Sequence, residues 1–416
     1  FLYLTSDPLR IRTAILCIES CFLTSTLFSR YSRQILLSDI GVLGQCKLRS
    51  ARVLVAGAGA LACPALVYLA GAGVGEIGII DYDTVEITNI HRQFLHTERD
   101  EHMSKAESAA NKLRSINSTI KVNVYNVQIT SQNAQQIASN YDIILDCTDN
   151  VPTRYLLNDL CIPLISGSAL KMEGQLTIYG YRSSSYTGPC YRCLFPVPPP
   201  VETVGSCSAN GVAGPVPGVI GALQALETIK YIVGHTDRQL LVERMLIFDG
   251  DDITFKTVKL RPRNPKCEVC SDNPTITKLI DYELFCKSNA KEKDLDLKLL
   301  PEDQRITPQQ LSNYLQDESL KQRHLLVDVR NESEFKMCNI DGSVNYPIDK
   351  LKIEDLLEET EKYDFVTLVC RRGNDSQIVC DKINKILENE RKFKIKDLIG
   401  GLHAWANIVD DNFPIY

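Results

Sequence analysis

The ten residues Val53-Leu54-Val55-Ala56-Gly57-Ala58-Gly59-Ala60-Leu61-Ala62 constrain this chain more than any others. Four apolar residues in a row suit a buried strand, the spaced glycines suit a tight reversal, and Leu61–Ala70 has the apolarity and length of a helix. Downstream, Ile77–Ile80 reads as a strand, Lys105–Ile116 as an amphipathic helix, and Val122–Tyr125 and Ile143–Asp146 as further strands. Strand and helix in alternation predict an α/β fold. It is a Rossmann-like doubly wound parallel sheet, with its ligand at the carboxyl ends of the strands.

The turn has the makings of a nucleotide site. Glycines let backbone approach phosphate, the helix start offers unpaired N–H groups, and Asp81 at the end of the next strand can accept from ribose hydroxyls. Ala62 replaces the third glycine of the usual pattern, so on the glycines alone an ordinary strand-to-helix turn fits as well. The next segments narrow the chemistry. Thr88-Asn89-Ile90-His91-Arg92-Gln93-Phe94, then Lys105 at a helix start, then Asp146-Cys147-Thr148-Asp149-Asn150 after a strand bring cations and a metal-capable acid toward the phosphates. A dehydrogenase has no use for that set, whereas a nucleotidyl transferase does. Arg92 and Lys105 would neutralise charge on the phosphate oxygens while Asp149 holds Mg²⁺.

Together with Arg30-Tyr31-Ser32-Arg33-Gln34, Asp81-Tyr82-Asp83 and the DCTDNVPTRY segment, these motifs resemble the ubiquitin-activating-enzyme superfamily over about Arg30 to Tyr282. Within it they most resemble molybdopterin-synthase adenylyltransferases and their eukaryotic sulfurtransferase-fused relatives. The resemblance implies that ATP is cleaved to attach AMP to the C-terminal glycine of a ubiquitin-like sulfur carrier. It implies an ATP site at Gly57, Gly59, Ala60, Asp81, Thr88, Asn89, Ile90, His91, Arg92, Lys105, Asp149 and Asn150. It also implies a homodimer in which Arg33 reaches into the other subunit's site. The family usually has glycine where Ala60 and Ala62 stand, which opens a rival reading: a scaffold that binds a ubiquitin-like protein without adenylating it, with only a thiosulfate sulfurtransferase activity.

Fifteen cysteines are too many for filler and too dilute, in 416 residues, for a disulfide-stapled mini-fold. Cys190-x₂-Cys193 and Cys267-x₂-Cys270 have the spacing of two knuckles sharing a structural Zn²⁺, which the spacing favours over two redox pairs. Cys207, in the loop Val204–Gly211, is a surface thiol on its neighbours alone. In the fused relatives a cysteine here takes part in thioester or disulfide chemistry.

Beyond a charged run at 287–305, read as a solvated linker, a second unit of alternating elements spans 306–416. Val366–Val369 delivers Cys370 into the loop Arg371-Arg372-Gly373-Asn374-Asp375-Ser376. Adjacent arginines and backbone N–H groups are expected to lower the thiol pKa and suit a persulfide. A cysteine phosphatase loop would close with Arg at position 376, where Ser376 stands. With Gly400-Gly401-Leu402-His403-Ala404-Trp405, the segment resembles rhodanese domains. That implies a bifunctional enzyme. It adenylates a carrier through residues 30–286 and then passes a persulfide sulfur from Cys370, loaded by a donor such as a cysteine desulfurase, to leave a thiocarboxylate. The carriers implied are a ubiquitin-related modifier serving tRNA wobble-uridine thiolation and the small subunit of molybdopterin synthase.

The formal net charge of −6 argues against stable nucleic-acid binding, and no run of about 18 uncharged apolar residues predicts a membrane span. Zinc thiolates and a reloadable persulfide imply a reducing compartment, the cytosol. Residues 1–29, an N-terminal extension that begins with Phe1, carry a faint signal-peptide pattern interrupted by Glu19.

Overall fold

The computed structural model describes residues 23–200, 211–288, 290, 297–360, 362–386 and 394–416. The chain divides into two compact units, Phe1–Glu292 and Lys293–Tyr416. The first opens with helix α1 (Ser25–Ile35), capped by Thr24. Regular structure is thus present before residue 30, where Leu27 is buried.

Strands β1 (Arg52–Ala56), β2 (Glu76–Ile80), β3 (Lys121–Tyr125), β4 (Ile143–Asp146), β5 (Leu164–Leu170), β6 (Glu173–Tyr179), β7 (Arg244–Asp249) and β8 (Thr254–Lys259) form one sheet in the order β3-β2-β1-β4-β5-β6-β7-β8. From β3 to β5 the pairing is parallel. The four strands read from the sequence are parallel as expected, and the sheet is extended by β6, β7 and β8, which pair antiparallel. Only Lys171 and Met172 join β5 to β6, and a two-residue hairpin cannot make a parallel crossover. Between β1 and β4 the order of strands reverses, which opens a crevice at their carboxyl ends.

Helices α2 (Ala62–Ala72), α3 (Ile87–Ile90), α4 (Lys105–Ile116), α5 (Val151–Asp159), α6 (Tyr191–Leu194), α7 (Pro215–Val233) and α8 (Tyr282–Cys286) complete the part of this unit that matters for its sites. Pro215–Gly218 form the first turn of α7. Proline is tolerated there because a first-turn N–H has no intrahelical partner. By length and composition alone α7 could cross a membrane, but its buried residues pack on α2 and β5 in the core. At the crossing with α2, a Cβ on Gly221 would lie 2.0 Å from the Leu61 carbonyl oxygen. Glycine at 221 thus lets α7 approach the start of α2, where Ala62 is fully buried.

In the second unit β9 (Arg305–Ile306), β10 (His324–Asp328), β11 (Val344–Asn345), β12 (Phe365–Val369) and β13 (Lys394–Leu398) form a parallel sheet in the order β11-β10-β12-β13-β9. Alternate residues feed two cores: Leu325, Val327, Val366 and Leu368 on one face, Leu326 and Val369 on the other. Helices α9 (Asp375–Ile386) and α10 (Gly401–Ile408) follow β12 and β13. The segment read as a linker to residue 305 is shorter than expected. Leu299 N–H donates to Gln377 Oε1 (3.1 Å), Leu300 is buried, and Arg305 pairs with the buried Asp397 (2.8 Å). Leucines among the charges anchor it, which average composition conceals.

Candidate active sites

A cavity of roughly 400 Å³ lies at the carboxyl ends of β1, β2 and β4. Its wall includes Gly57, Gly59, Ala60, Asp81, Arg92, Lys105, Asp149 and Asn150, eight of the residues expected there. Gly57 has φ +93°, and a Cβ on it would lie 2.8 Å from the Cys147 carbonyl oxygen, so only glycine lets β1 turn against β4. Thr88, Asn89, Ile90 and His91, on and after α3, are not among the lining residues. Asn89 acts through Arg92, accepting from its Nη2 at 2.9 Å. Arg33 is exposed near the end of α1 and does not line the cavity of its own chain.

The charges here are pre-paired. Lys105 Nζ lies 2.9 Å from Asp83 Oδ2, its side chain almost wholly buried. Burial opposes the ammonium charge, but Asp81 and Asp83 outweigh it and raise the lysine above its ordinary value. Asp81 accepts from the Ala58 N–H (2.6 Å) and the Asp83 N–H (2.8 Å), so it fixes the glycine turn as well as facing the cavity. Burial pushes its carboxyl up, with Lys105 opposing. On the other side of the turn, buried His96 bridges the Ala58 carbonyl oxygen (3.0 Å) and Ser108 Oγ (2.9 Å). Asp149 is exposed at the cavity edge, while Asn150 caps α5 by accepting from Thr153 N–H (2.9 Å).

Sequence reasoning passed over Asp83, His96, and the pair of Asp146 and Arg154. Fully buried Asp146 accepts from Arg154 Nε (2.7 Å), Ser166 Oγ (2.8 Å) and Thr148 Oγ1 (2.6 Å), and Arg154 brings a third cation to the wall. The signal was present in the DCTDNVPTRY segment, where Asp146 ends a strand and Arg154 lies one helical turn past the Asn150 cap.

The four knuckle cysteines converge. Cys190 Sγ is 3.8 Å from Cys193 Sγ and 3.5 Å from Cys267 Sγ, and Cys193 Sγ is 3.3 Å from Cys270 Sγ. Tetrahedral Zn²⁺ with bonds of about 2.3 Å would set sulfurs about 3.8 Å apart, whereas a disulfide needs about 2.05 Å. All four are free thiols, and the cluster can hold a metal. Between the first two, Arg192 is almost fully buried. Its Nε and Nη2 grip Asp159 at 2.8–3.0 Å, and its guanidinium stacks 4.5 Å from Phe285 and 5.0 Å from Tyr155. The far end of α5 is thereby bolted to the knuckle. Cys207 lies outside the described residues.

Cys370 leaves β12 into a closed cradle. Its sulfur accepts from Gly373 N–H (3.1 Å) and lies 3.3 Å from Ser376 Oγ, the position where a phosphatase would place arginine. The expected lowering of its pKa is not found: burial pushes the thiol up, and the Ser376 and Gly373 contacts only oppose this. The Arg371 guanidinium, expected to favour thiolate, lies instead over the Tyr416 ring, 4.8 Å from its centroid.

The comparisons agree with this geometry. The ThiF family model matches residues 31–269 and the Rhodanese-like domain model residues 307–408. The chain is 52% identical over 405 residues to the adenylyltransferase and sulfurtransferase MOCS3 of Culex quinquefasciatus, covering 95% of this chain and 90% of that protein. It is 50% identical to the Aedes aegypti protein of the same name, with the same coverage. Among solved structures, E. coli MccB with AMPCPP and MccA matches with TM-score 0.52 and 25% identity over 63% of this chain and 80% of that one. The catalytic chemistry of the rival scaffold reading is thus too narrow, and the chain belongs to the MOCS3 adenylyltransferase and sulfurtransferase family, a ThiF-type α/β unit followed by a rhodanese-like one.

Proposed function

We propose that the cavity binds Mg·ATP and the Gly-Gly tail of a ubiquitin-like sulfur carrier. Arg92 and Lys105 take the phosphoryl oxygens, Asp149 carries Mg²⁺, and the main chain at Gly57, Gly59 and Ala60 approaches the phosphates. Asp81 retains lone pairs for ribose, and residues Thr88 to His91 orient Arg92 from behind. A carrier carboxylate oxygen attacks the α-phosphorus, pyrophosphate leaves, and an acyl-adenylate forms. Cys370, loaded as a persulfide by a donor such as a cysteine desulfurase, then attacks the acyl carbon with its terminal sulfur, and AMP departs. Cys207 is the second thiol of that sequence, either as thioester acceptor or as the thiolate that attacks the Cys370 sulfur of the resulting acyl disulfide; the thiocarboxylate leaves with the bonding pair, and an external dithiol reductant reopens the Cys207–Cys370 disulfide.

Zn²⁺ held by Cys190, Cys193, Cys267 and Cys270 would be structural, with no open ligand position. Arg33, solvent-exposed, is offered to the second subunit of a homodimer. The thiocarboxylate product serves tRNA wobble-uridine thiolation through a ubiquitin-related modifier and molybdopterin synthesis through the synthase small subunit, in the cytosol. Residues 30–286 and 306–416 carry the two activities.

The convergence of Arg92, Lys105 and Asp149 on one cavity carries the reading. ATP–pyrophosphate exchange with a purified Gly-Gly carrier tests it. Exchange should vanish in Asp149→Ala and persist in Cys370→Ala, while a persulfide mass shift should vanish only in Cys370→Ala. Absence of exchange in the unmodified protein would refute it.

A further inference from the structure

The rhodanese-like unit contains an anchored aromatic ring that the sulfur chemistry above does not use. Tyr416 is half-buried, and its hydroxyl meets Arg330 Nη1 and donates to Glu334 Oε1 (3.0 Å). Arg330 is itself immobile. Its guanidinium is bidentate to the fully buried Asp328 (2.6–3.0 Å) and donates to the Cys338 carbonyl oxygen (2.6 Å). The ring is thus fixed from its hydroxyl end by a buried ion pair.

Its face holds the residue next to the reactive cysteine. The Arg371 guanidinium carbon is 4.8 Å from the ring centroid, within cation–π range. Three further contacts close the arrangement: His403 N–H donates to the Arg371 carbonyl oxygen (3.1 Å), Arg371 Nε donates to the His403 ring Nε2 (3.4 Å), and that Nε2 lies 3.2 Å from the Tyr416 main-chain oxygen. Arg371 is therefore oriented by a second element at both its backbone and its head group. An arginine on a flexible stem loses rotamer freedom on every binding event, and stacking it in advance removes that cost.

We propose that Tyr416 is a positioning residue that holds Arg371 at the Cys370 loop to receive the anionic end of the sulfur donor. The proposal rests on Cys370 as the sulfur-carrying group. With thiosulfate as the probe, the Cys370 thiolate attacks the outer sulfur and the S–S bond breaks. Sulfite leaves with the bonding pair, and Cys370 becomes a persulfide. Cyanide then removes the terminal sulfur as thiocyanate and restores the thiolate. The negative oxygens of thiosulfate are what the stacked guanidinium would meet.

The test is steady-state thiosulfate:cyanide transfer by the full chain, paired with alkylation of Cys370 by neutral iodoacetamide and by anionic iodoacetate, read on the Cys370 peptide by mass spectrometry. Tyr416→Leu should raise the thiosulfate KM about tenfold, with a far smaller change in kcat, and lower the iodoacetate-to-iodoacetamide ratio several-fold. Tyr416→Phe, which keeps the ring but loses its hydroxyl anchor, should restore most of both. Arg371→Gln should raise KM by a similar factor, and the double variant should add nothing further, because Tyr416 acts through Arg371. An unchanged KM in Tyr416→Leu, a Phe variant as impaired as Leu, or additive effects in the double variant would overturn the proposal. Should the Leu variant not fold, the Phe and Arg371→Gln arms decide: a Phe variant that retains most of both readouts while Arg371→Gln loses them supports it, and any other pattern sinks it. Absence of a Cys370 persulfide in the unmodified chain would instead refute the underlying sulfur-carrier reading, which the alkylation ratio does not depend on.

Discussion

Both units place a glycine-containing turn between a central strand and a helix, at Gly57–Gly59 after β1 and at Gly373 after β12, and use it in opposite ways. In the first, the turn is fixed from behind by Asp81 and His96, and it faces an open cavity bordered by Lys105, Arg92 and Arg154. In the second, a turn N–H already has a partner, the protein's own Cys370 sulfur, in a closed and neutral cradle. A site that waits for a diffusing polyanion keeps charges ready and paired with one another. A site whose reagent is covalently its own can close around the uncharged form. Binding sites of these two kinds should respond differently to loss of charge, to loss of packing and to acid.

The largest effect should come from removing charge at the open cavity. Lys105→Met is expected to slow ATP–pyrophosphate exchange by about 10²–10³-fold, since it deletes a preorganised cation, while leaving persulfide formation at Cys370 intact. Comparable losses in both assays would break the contrast. Next is the bolt at the far end of α5. Asp159→Asn leaves the buried Arg192 guanidinium only the more distant Glu268 carboxylate at 3.8 Å, and breaking such a buried pair costs about 3 kcal/mol. Denaturant unfolding of the first unit, followed by circular dichroism, should shift accordingly, and a shift below about 1 kcal/mol would show the pair to be dispensable.

Acid gives the smallest effect and probes the second unit. Buried His324, 2.8 Å from Thr367 Oγ1, is pushed down by burial to about 4 from 6.5. As pH falls through 6.5 the unfolded chain takes up this proton and the folded unit does not, so stability is lost progressively until pH nears 4. The full loss is on the order of 3 kcal/mol. Trp405, the sole tryptophan and part of α10, reports this unit by fluorescence. His324→Gln should flatten the dependence between those pH values.

Much of this was legible in sequence because it is local. The helix expected at Lys105–Ile116 is the helix observed, the knuckle cysteines follow from their spacing, and the wall from Gly57 to Asn150 was implied by the motifs that carry the family resemblance. What escaped is tertiary. No spacing rule ties Asp146 to Ser166, or Arg192 to Phe285, and the antiparallel half of the sheet turns on a hairpin only two residues long. The Cys370 pKa was misjudged for the same reason. Adjacency in sequence put Arg371 beside the thiol, while Tyr416, forty-five positions on, takes the guanidinium instead.

One consequence concerns time. Helix α5 presents Asn150 and Arg154 to the cavity at one end and Asp159 to the knuckle at the other, so its anchorage depends on a cluster whose halves are far apart in the chain. On a ribosome adding about 5–20 residues per second, Cys267 follows Cys193 by roughly 4–15 s. During that interval the strands that frame the nucleotide cavity exist without the lock that steadies one of its walls. With the proposed Zn²⁺ at this cluster, metal capture by the late pair would be the event that finishes the early half of the protein.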